Sequence, residues 1–158
     1  MRPARIPIGL QLNQAARAVS RAFDDALAEA GGSLPAWLIL LNLKTRSLAN
    51  QRELADAVGI REATLTHHLT AMESAGLVSR RRDAANRRVQ VVELTPAGED
   101  AFLRLRGVAM SFDERLRRGI SAAQISELDR ILGLLAANVG AAGAGGRSPW
   151  AGLAETSR

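Results

Sequence analysis

The stretch QRELADAVGIREATLTHHLTAMESAGLVSRRRDAANRRVQVVELT, Gln51–Thr95, decides the fold. It opens as a short helix in which Leu54, Ala55 and Val58 share an inward face, and Gly59 ends that helix. Asn50 stands where a cap belongs, with Glu53 three residues on, the spacing of a capping box. After a short turn a second helix starts near Arg61 and closes at Gly76. LVSRRR and RVQVVELT then read as two strands joined by the turn DAAN. In the second arm Val89, Val91 and Glu93 alternate with Gln90, Val92 and Leu94, the period of a half-buried strand.

The helix from Arg61 has two unlike faces. With Leu65 at zero on a wheel of about 100° per residue, Leu69 and Met72 fall beside it and define a core face. Ala63, Thr64, His67, Thr70 and Ala71 fall opposite. That far face is small and polar, without an acid or a large apolar group, as a helix pressed into a groove of phosphates and base edges must be. A solvated surface face would look the same on the helix alone; the hairpin separates the two readings. Arg80, Arg81, Arg82, Arg87 and Arg88 lie within nine residues, offset only by Asp83. A hairpin that merely covered a core needs no such charge, whereas an arginine at its tip suits the negative potential of a narrow minor groove. Two helices followed by a basic hairpin make a winged helix-turn-helix, with one element for each groove.

Long helices flank this lobe. Ile8, Leu12, Ala15, Val19, Phe23, Ala26 and Ala30 recur at steps of three and four, and Gly31-Gly32 ends that helix. Ser33 caps the next, with Pro35 in its first turn; LPAWLILLNLK is apolar on most sides, so it should be a buried strut. Thr95-Pro96 starts a helix with the stripe Phe102, Leu105, Ala109, Phe112 and Leu116. Ser121 and Gln124 box the last helix, which carries Ile125, Leu128, Leu132, Leu135 and Val139. The fold class is therefore mainly α with a small β-hairpin wing. These stripes are too long for one small lobe to cover, which predicts a homodimer. Residues 140–158 are rich in Gly, Ala and Ser, a composition that predicts disorder.

The whole chain has 158 residues and a net charge of +5, suited to a polyanionic partner. Lys44 is its only lysine. A GC-rich coding bias accounts for much of that ratio but not for where the arginines cluster. There is no cysteine, which excludes disulfides, thiolate catalysis and cysteine-bound zinc. His67 and His68 are adjacent and point about 100° apart, so they do not chelate one ion. No nucleophile motif, paired catalytic acids or phosphate loop is present, so neither an enzyme nor a cofactor is expected. MRPARIPIGLQLN lacks the apolar run of a signal peptide, and no stretch approaches the ~18 apolar residues of a membrane span. The expected compartment is the cytoplasm.

The chain resembles the MarR (multiple antibiotic resistance regulator) family. The resemblance runs over about residues 6–139, through PIG, SLPAWLILLNL, QRELADAVGI, ATLTHHLTAMESAGLVSRR and NRRVQVVELTPAG. It implies a DNA-binding lobe at 33–95, with 8–30 and 96–139 as dimerisation helices of a triangular homodimer on a palindromic operator. It implies a transcriptional regulator, usually a repressor, often released by a small aromatic or phenolic effector. The expected DNA contacts are Asn50, Gln51, Arg61, Ala63, Thr64, Thr66, His67, Thr70, Arg81, Arg87 and Arg88, with Arg87 in the minor groove and Arg88 on a phosphate. Relatives often carry an acid before the wing-tip arginine; here Asn86 stands there, and Asp83 is the residue left to aim it. Relatives also often begin the recognition helix with a capping residue, where this chain has Arg61. By resemblance Arg17, Trp37 and Leu41 line an effector pocket; the bland reading makes Trp37 core and Arg17 a surface ion-pair former. An effector-independent or architectural DNA binder, and a winged helix that docks protein instead of DNA, are the alternative functions.

Overall fold

The computed structural model describes residues 6–46 and 50–140. The tail expected to be disordered falls, from residue 141 on, outside the described residues. The elements are α1 Ile8–Glu29, α2 Leu34–Thr45, α3 Gln51–Val58, α4 Glu62–Ser74, β1 Val78–Arg82, β2 Gln90–Leu94, α5 Pro96–Arg117 and α6 Ala122–Asn138.

Helix α2 is the strut that its composition predicts. Ser33 Oγ accepts from the Ala36 N–H, and the Leu34 N–H donates to Asp24 Oδ1 at 2.8 Å, which ties the start of α2 to α1. Trp37, Ile39, Leu40, Leu41 and Asn42 are all buried along it. The C-terminal half of α1, the first half of α5, α3, α4 and β2 pack around this strut. Trp37 stacks on Phe102 with ring centroids 5.7 Å apart, and Phe23 meets Phe112 at 4.9 Å. Aromatic pairs of this kind contribute about 0.5–1.5 kcal/mol beyond their buried area.

The lobe that follows is built by caps and by two close turns. Asn50 Oδ1 accepts from the Glu53 N–H at 2.9 Å and starts α3. Gly59, at φ 79°, ends α3 in the left-handed conformation that only glycine adopts cheaply, which turns the chain straight into α4. Leu65, Leu69 and Met72 bury the core face of α4, as the wheel requires. Strands β1 and β2 pair antiparallel, with Val78 opposite Leu94, Arg80 opposite Val92 and Arg82 opposite Gln90. Thr95 Oγ1 accepts from the Gly98 N–H and donates to the Gly76 carbonyl, so one hydroxyl links the start of α5 to the end of α4. Gly98 is required by proximity: a Cβ there would lie 2.0 Å from the Leu77 carbonyl oxygen.

The stripes of the flanking helices are only partly covered by their own chain. Along α1 only Phe23 and Leu27 are buried, while Ile8, Leu12 and Val19 stay exposed. Leu27, outside the expected stripe, lies on the edge that meets the core. In α5 the stripe is buried from Phe102 to Phe112, but Leu116 is exposed. Helix α6 has its capping box, with Ser121 Oγ accepting from Gln124 N–H and Gln124 Oε1 accepting from Ser121 N–H, yet buries no residue at all. Among the described residues, no single helix is long and apolar enough to cross a membrane.

Candidate nucleic-acid interface

Helix α4 presents the face that its sequence promises. Ala63, Thr64, Thr66, His67, Thr70 and Ala71 are exposed, while His68 is half-buried beside the core face. The exposed residues are not equivalent. The Thr66 hydroxyl donates to the Glu62 carbonyl at 2.9 Å and accepts from Gln51 Nε2 at 2.7 Å. The Thr70 hydroxyl donates to the Thr66 carbonyl at 2.9 Å and accepts from Arg80 Nη2 at 3.3 Å. A hydroxyl has one proton to give, and both of these threonines give it to their own helix. Thr64 and His67 carry no such tie, so their polar groups are the ones turned outward. Asn50 and Gln51, expected at the interface, serve α3 and α4: the first as cap, the second as a brace between the helices. Arg61 occupies the cap position of α4 but makes no capping bond, so the first N–H groups of α4 meet no side-chain acceptor there.

The wing sorts its arginines by strand parity. Val78 and Arg80 point inward with Val92 and Leu94, whereas Arg81 points to the other side. Arg80 closes a fork on Glu73, with Nε at 2.9 Å and Nη2 at 2.6 Å from the same carboxylate oxygen, and its N–H donates to the other oxygen. The Arg80 side chain is only 19% exposed. Hydrogen bonding from Arg80 outweighs desolvation and holds the Glu73 carboxyl below the usual carboxylate range. Arg81 pairs with Glu93 at 2.7 and 3.1 Å, but both side chains are about half exposed, 55% and 48%. That pair lowers the Glu93 carboxyl and raises the Arg81 guanidinium, through the hydrogen bond first. An exposed pair contributes little to stability, so Arg81 can exchange Glu93 for a phosphate at small cost.

Arg82, Arg87 and Arg88 are exposed around the tip. Asp83 shapes that tip through the backbone: its Oδ1 accepts from the N–H groups of Ala85 and Asn86 at 2.7 and 2.9 Å. Asn86 Oδ1 then accepts from the Arg88 N–H at 3.2 Å. Asp83 and Asn86 thus fold the turn of the wing, and the arginine side chains are carried by that turn.

Trp37 and Leu41 are completely enclosed, with 0% exposure, and Arg17 lies on the exposed side of α1. Trp37 stacks on Phe102, so packed core and not open space surrounds it here. An open cleft of about 780 Å³ lies instead between the end of α1 and the second half of α5, floored by Phe112 and edged by Arg104, Arg115 and Arg118. Two residues that the sequence reading passed over hold the site together, Glu73 and Gly98. For Glu73 the one available signal was an acid on the flank of α4, a few residues before a run of arginines.

The MarR family model matches residues 33–89, the span from the cap of α2 to the tip of the wing. The transcriptional regulator PA3341 is 32% identical, with a TM-score of 0.71, over 84% of this chain and 98% of its own. The transcriptional repressor CouR, bound to a 23-mer DNA duplex, is 26% identical over 82% of this chain and 92% of its own, with a TM-score of 0.75. CouR from Rhodococcus jostii RHA1 bound to p-coumaroyl-CoA aligns at 22% identity and a TM-score of 0.69, over 82% of this chain and 91% of its own, a likeness of fold. Identity at the first of these levels over almost all of another regulator, joined to a family model that spans α2 to β1 and the wing tip, means that the chain belongs to the MarR family of DNA-binding transcriptional regulators.

Proposed function

We propose that the chain is a homodimeric repressor that reads a palindromic operator with α4 and the wing of each protomer, and releases it on binding a small aromatic anion. The observation that carries the reading is the pairing of an exposed, acid-free helix face at Thr64 and His67 with the exposed tip arginines Arg87 and Arg88. Thr64 and His67 would meet base edges, Arg87 the minor groove, and Arg61, Arg81 and Arg88 the phosphates. The homodimer is supported by the exposed apolar residues of α1, α5 and α6, Leu128 and Leu132 among them, which need a cover their own chain lacks. Selection of bound duplexes from a random pool tests the reading. The expected motif is two inverted half-sites about 10 base pairs apart, or a multiple of that. Recovery of no motif, with binding that depends on salt alone, would leave only a non-specific binder.

For the aromatic anion, support comes from the p-coumaroyl-CoA held by CouR, a neighbour in fold. A ligand reaching Trp37 and Leu41 in this chain would have to part Trp37 from Phe102. The closed packing there favours a second reading, an effector-independent DNA binder. Thermal shift with aromatic acids and their CoA thioesters separates the two, because a ligand selective for the folded state raises the melting temperature.

A further inference from the structure

The two elements that would enter adjacent grooves belong to different pieces of secondary structure, and something must set the angle between them. Between α3 and α4 that tie is Gln51 to Thr66. Between α4 and the wing it is the Arg80 fork. Glu73 sits on the last turns of α4 and Thr70 one turn earlier; Arg80 is the third residue of β1, facing inward. Four hydrogen bonds join them: two from the guanidinium to Glu73 Oε2, one from the Arg80 N–H to Glu73 Oε1 and one from Nη2 to the Thr70 hydroxyl. A planar guanidinium held at two points fixes orientation as well as distance. On the wheel of α4, Glu73, Thr66 and Thr70 lie about 80–140° from Leu65, whereas His67 and Thr64 lie at about 200–260°. The braced flank is thus next to the reading face but separate from it.

We infer that Glu73 and Arg80 are positioning residues that lock the wing to the recognition helix, so that base contacts from α4 and the minor-groove contact of Arg87 are made together. This rests on the proposed DNA-reading mode. Neither residue need touch DNA: Arg80 spends its guanidinium inside the protein, and Glu73 is an acid that would repel a phosphate. Without the fork the wing stays attached by its ladder and by the turn at Gly76–Leu77, but it swings relative to α4. Arg87 then reaches its groove only in a fraction of the ensemble, and its contribution shrinks even though the residue is unchanged.

The test is a double-mutant cycle of Glu73→Gln with Arg87→Ala on the selected operator, in the full-length protein at fixed salt. In the wild type, Arg87→Ala should weaken binding about tenfold or more. In the Glu73→Gln background the same change should cost about twofold or less, while circular dichroism and light scattering show the same fold and oligomer. Arg80→Lys, which keeps the charge but loses the fork, should fall between the two and provides the measurement if Glu73→Gln does not fold. Equal costs of Arg87→Ala in the wild-type and clamp-variant backgrounds would overturn the inference and leave the DNA-reading mode standing. No cost of Arg87→Ala in the wild type would overturn both.

Discussion

Replacing Gly98 by alanine tests how tightly the wing is hung from the rest of the molecule. The added Cβ would lie 2.0 Å from the Leu77 carbonyl oxygen, where ordinary contact begins near 3.4 Å. The opposing group is backbone, so no side chain can swing aside; the start of α5 and the turn after α4 must separate by roughly 1.4 Å, overpacking that typically costs about 1–3 kcal/mol. Moving them also strains the bonds that cross the same gap, from the Thr95 N–H to the Leu77 carbonyl at 3.1 Å and from the Thr95 hydroxyl to the Gly76 carbonyl. Each is worth ~1 kcal/mol. A total of about 2–4 kcal/mol lowers the melting temperature by about 4–16 °C in a chain of this length. Thermal denaturation followed by circular dichroism, at one fixed protein concentration, measures it. Ala97→Gly, at the exposed neighbouring position, is the control and should cost about 0.5–1 kcal/mol. A Gly98→Ala protein melting no lower than Ala97→Gly would show that the approach of α5 to Leu77 is not the constraint described.

Arg87→Ala should weaken operator binding by about 1–3 kcal/mol per half-site, whereas Arg117→Ala, which removes only an exposed pair with Asp113 on α5, should leave the gel-shift affinity unchanged. Thr64→Ala and His67→Ala should change the selected motif; Arg88→Ala should weaken all sequences alike and flatten the salt dependence by roughly one unit per lost phosphate contact. Leu128→Glu with Leu132→Glu should turn a dimer into a monomer by light scattering at micromolar concentration, because both side chains stand exposed on α6 without a cover from their own chain. Glu73 has its carboxyl lowered by Arg80, so its stabilisation is present above the usual glutamate range and is lost as pH falls through the lowered value. The deficit of Glu73→Gln in urea denaturation should therefore be full at about pH 7 and shrink toward about pH 3.

The helices and their ends were legible because their signals are local. Ser33, Asn50, Thr95 and Ser121 are caps by chemistry, and each accepts the bond expected of it. The inward face of α4 was equally legible, since Leu65, Leu69 and Met72 obey one period. The division of labour among the arginines was not. Whether Arg80 or Arg81 turns inward depends on register, and a shift by one residue would exchange their roles. The partition of the threonines was hidden for a related reason, because Thr66 and Thr70 are engaged by Gln51 and Arg80, from elements that meet α4 only in the folded chain. Nor was it legible whether Trp37 walls a cavity or fills core, because an indole can do either; Phe102 stacks against it.

Helix α6 carries a consequence for dosage. Seventeen residues, none of them fully buried by their own chain, form a helix that is marginal in water when alone. Its order must come from whatever lies over it. When that cover is another copy, the melting point depends on how much protein is present. The active species also grows with the square of the chain concentration while dimers are scarce, so halving synthesis cuts the active species about fourfold in that regime. A promoter under such a regulator would respond to small changes in the regulator's own expression more steeply than any single contact with DNA would predict.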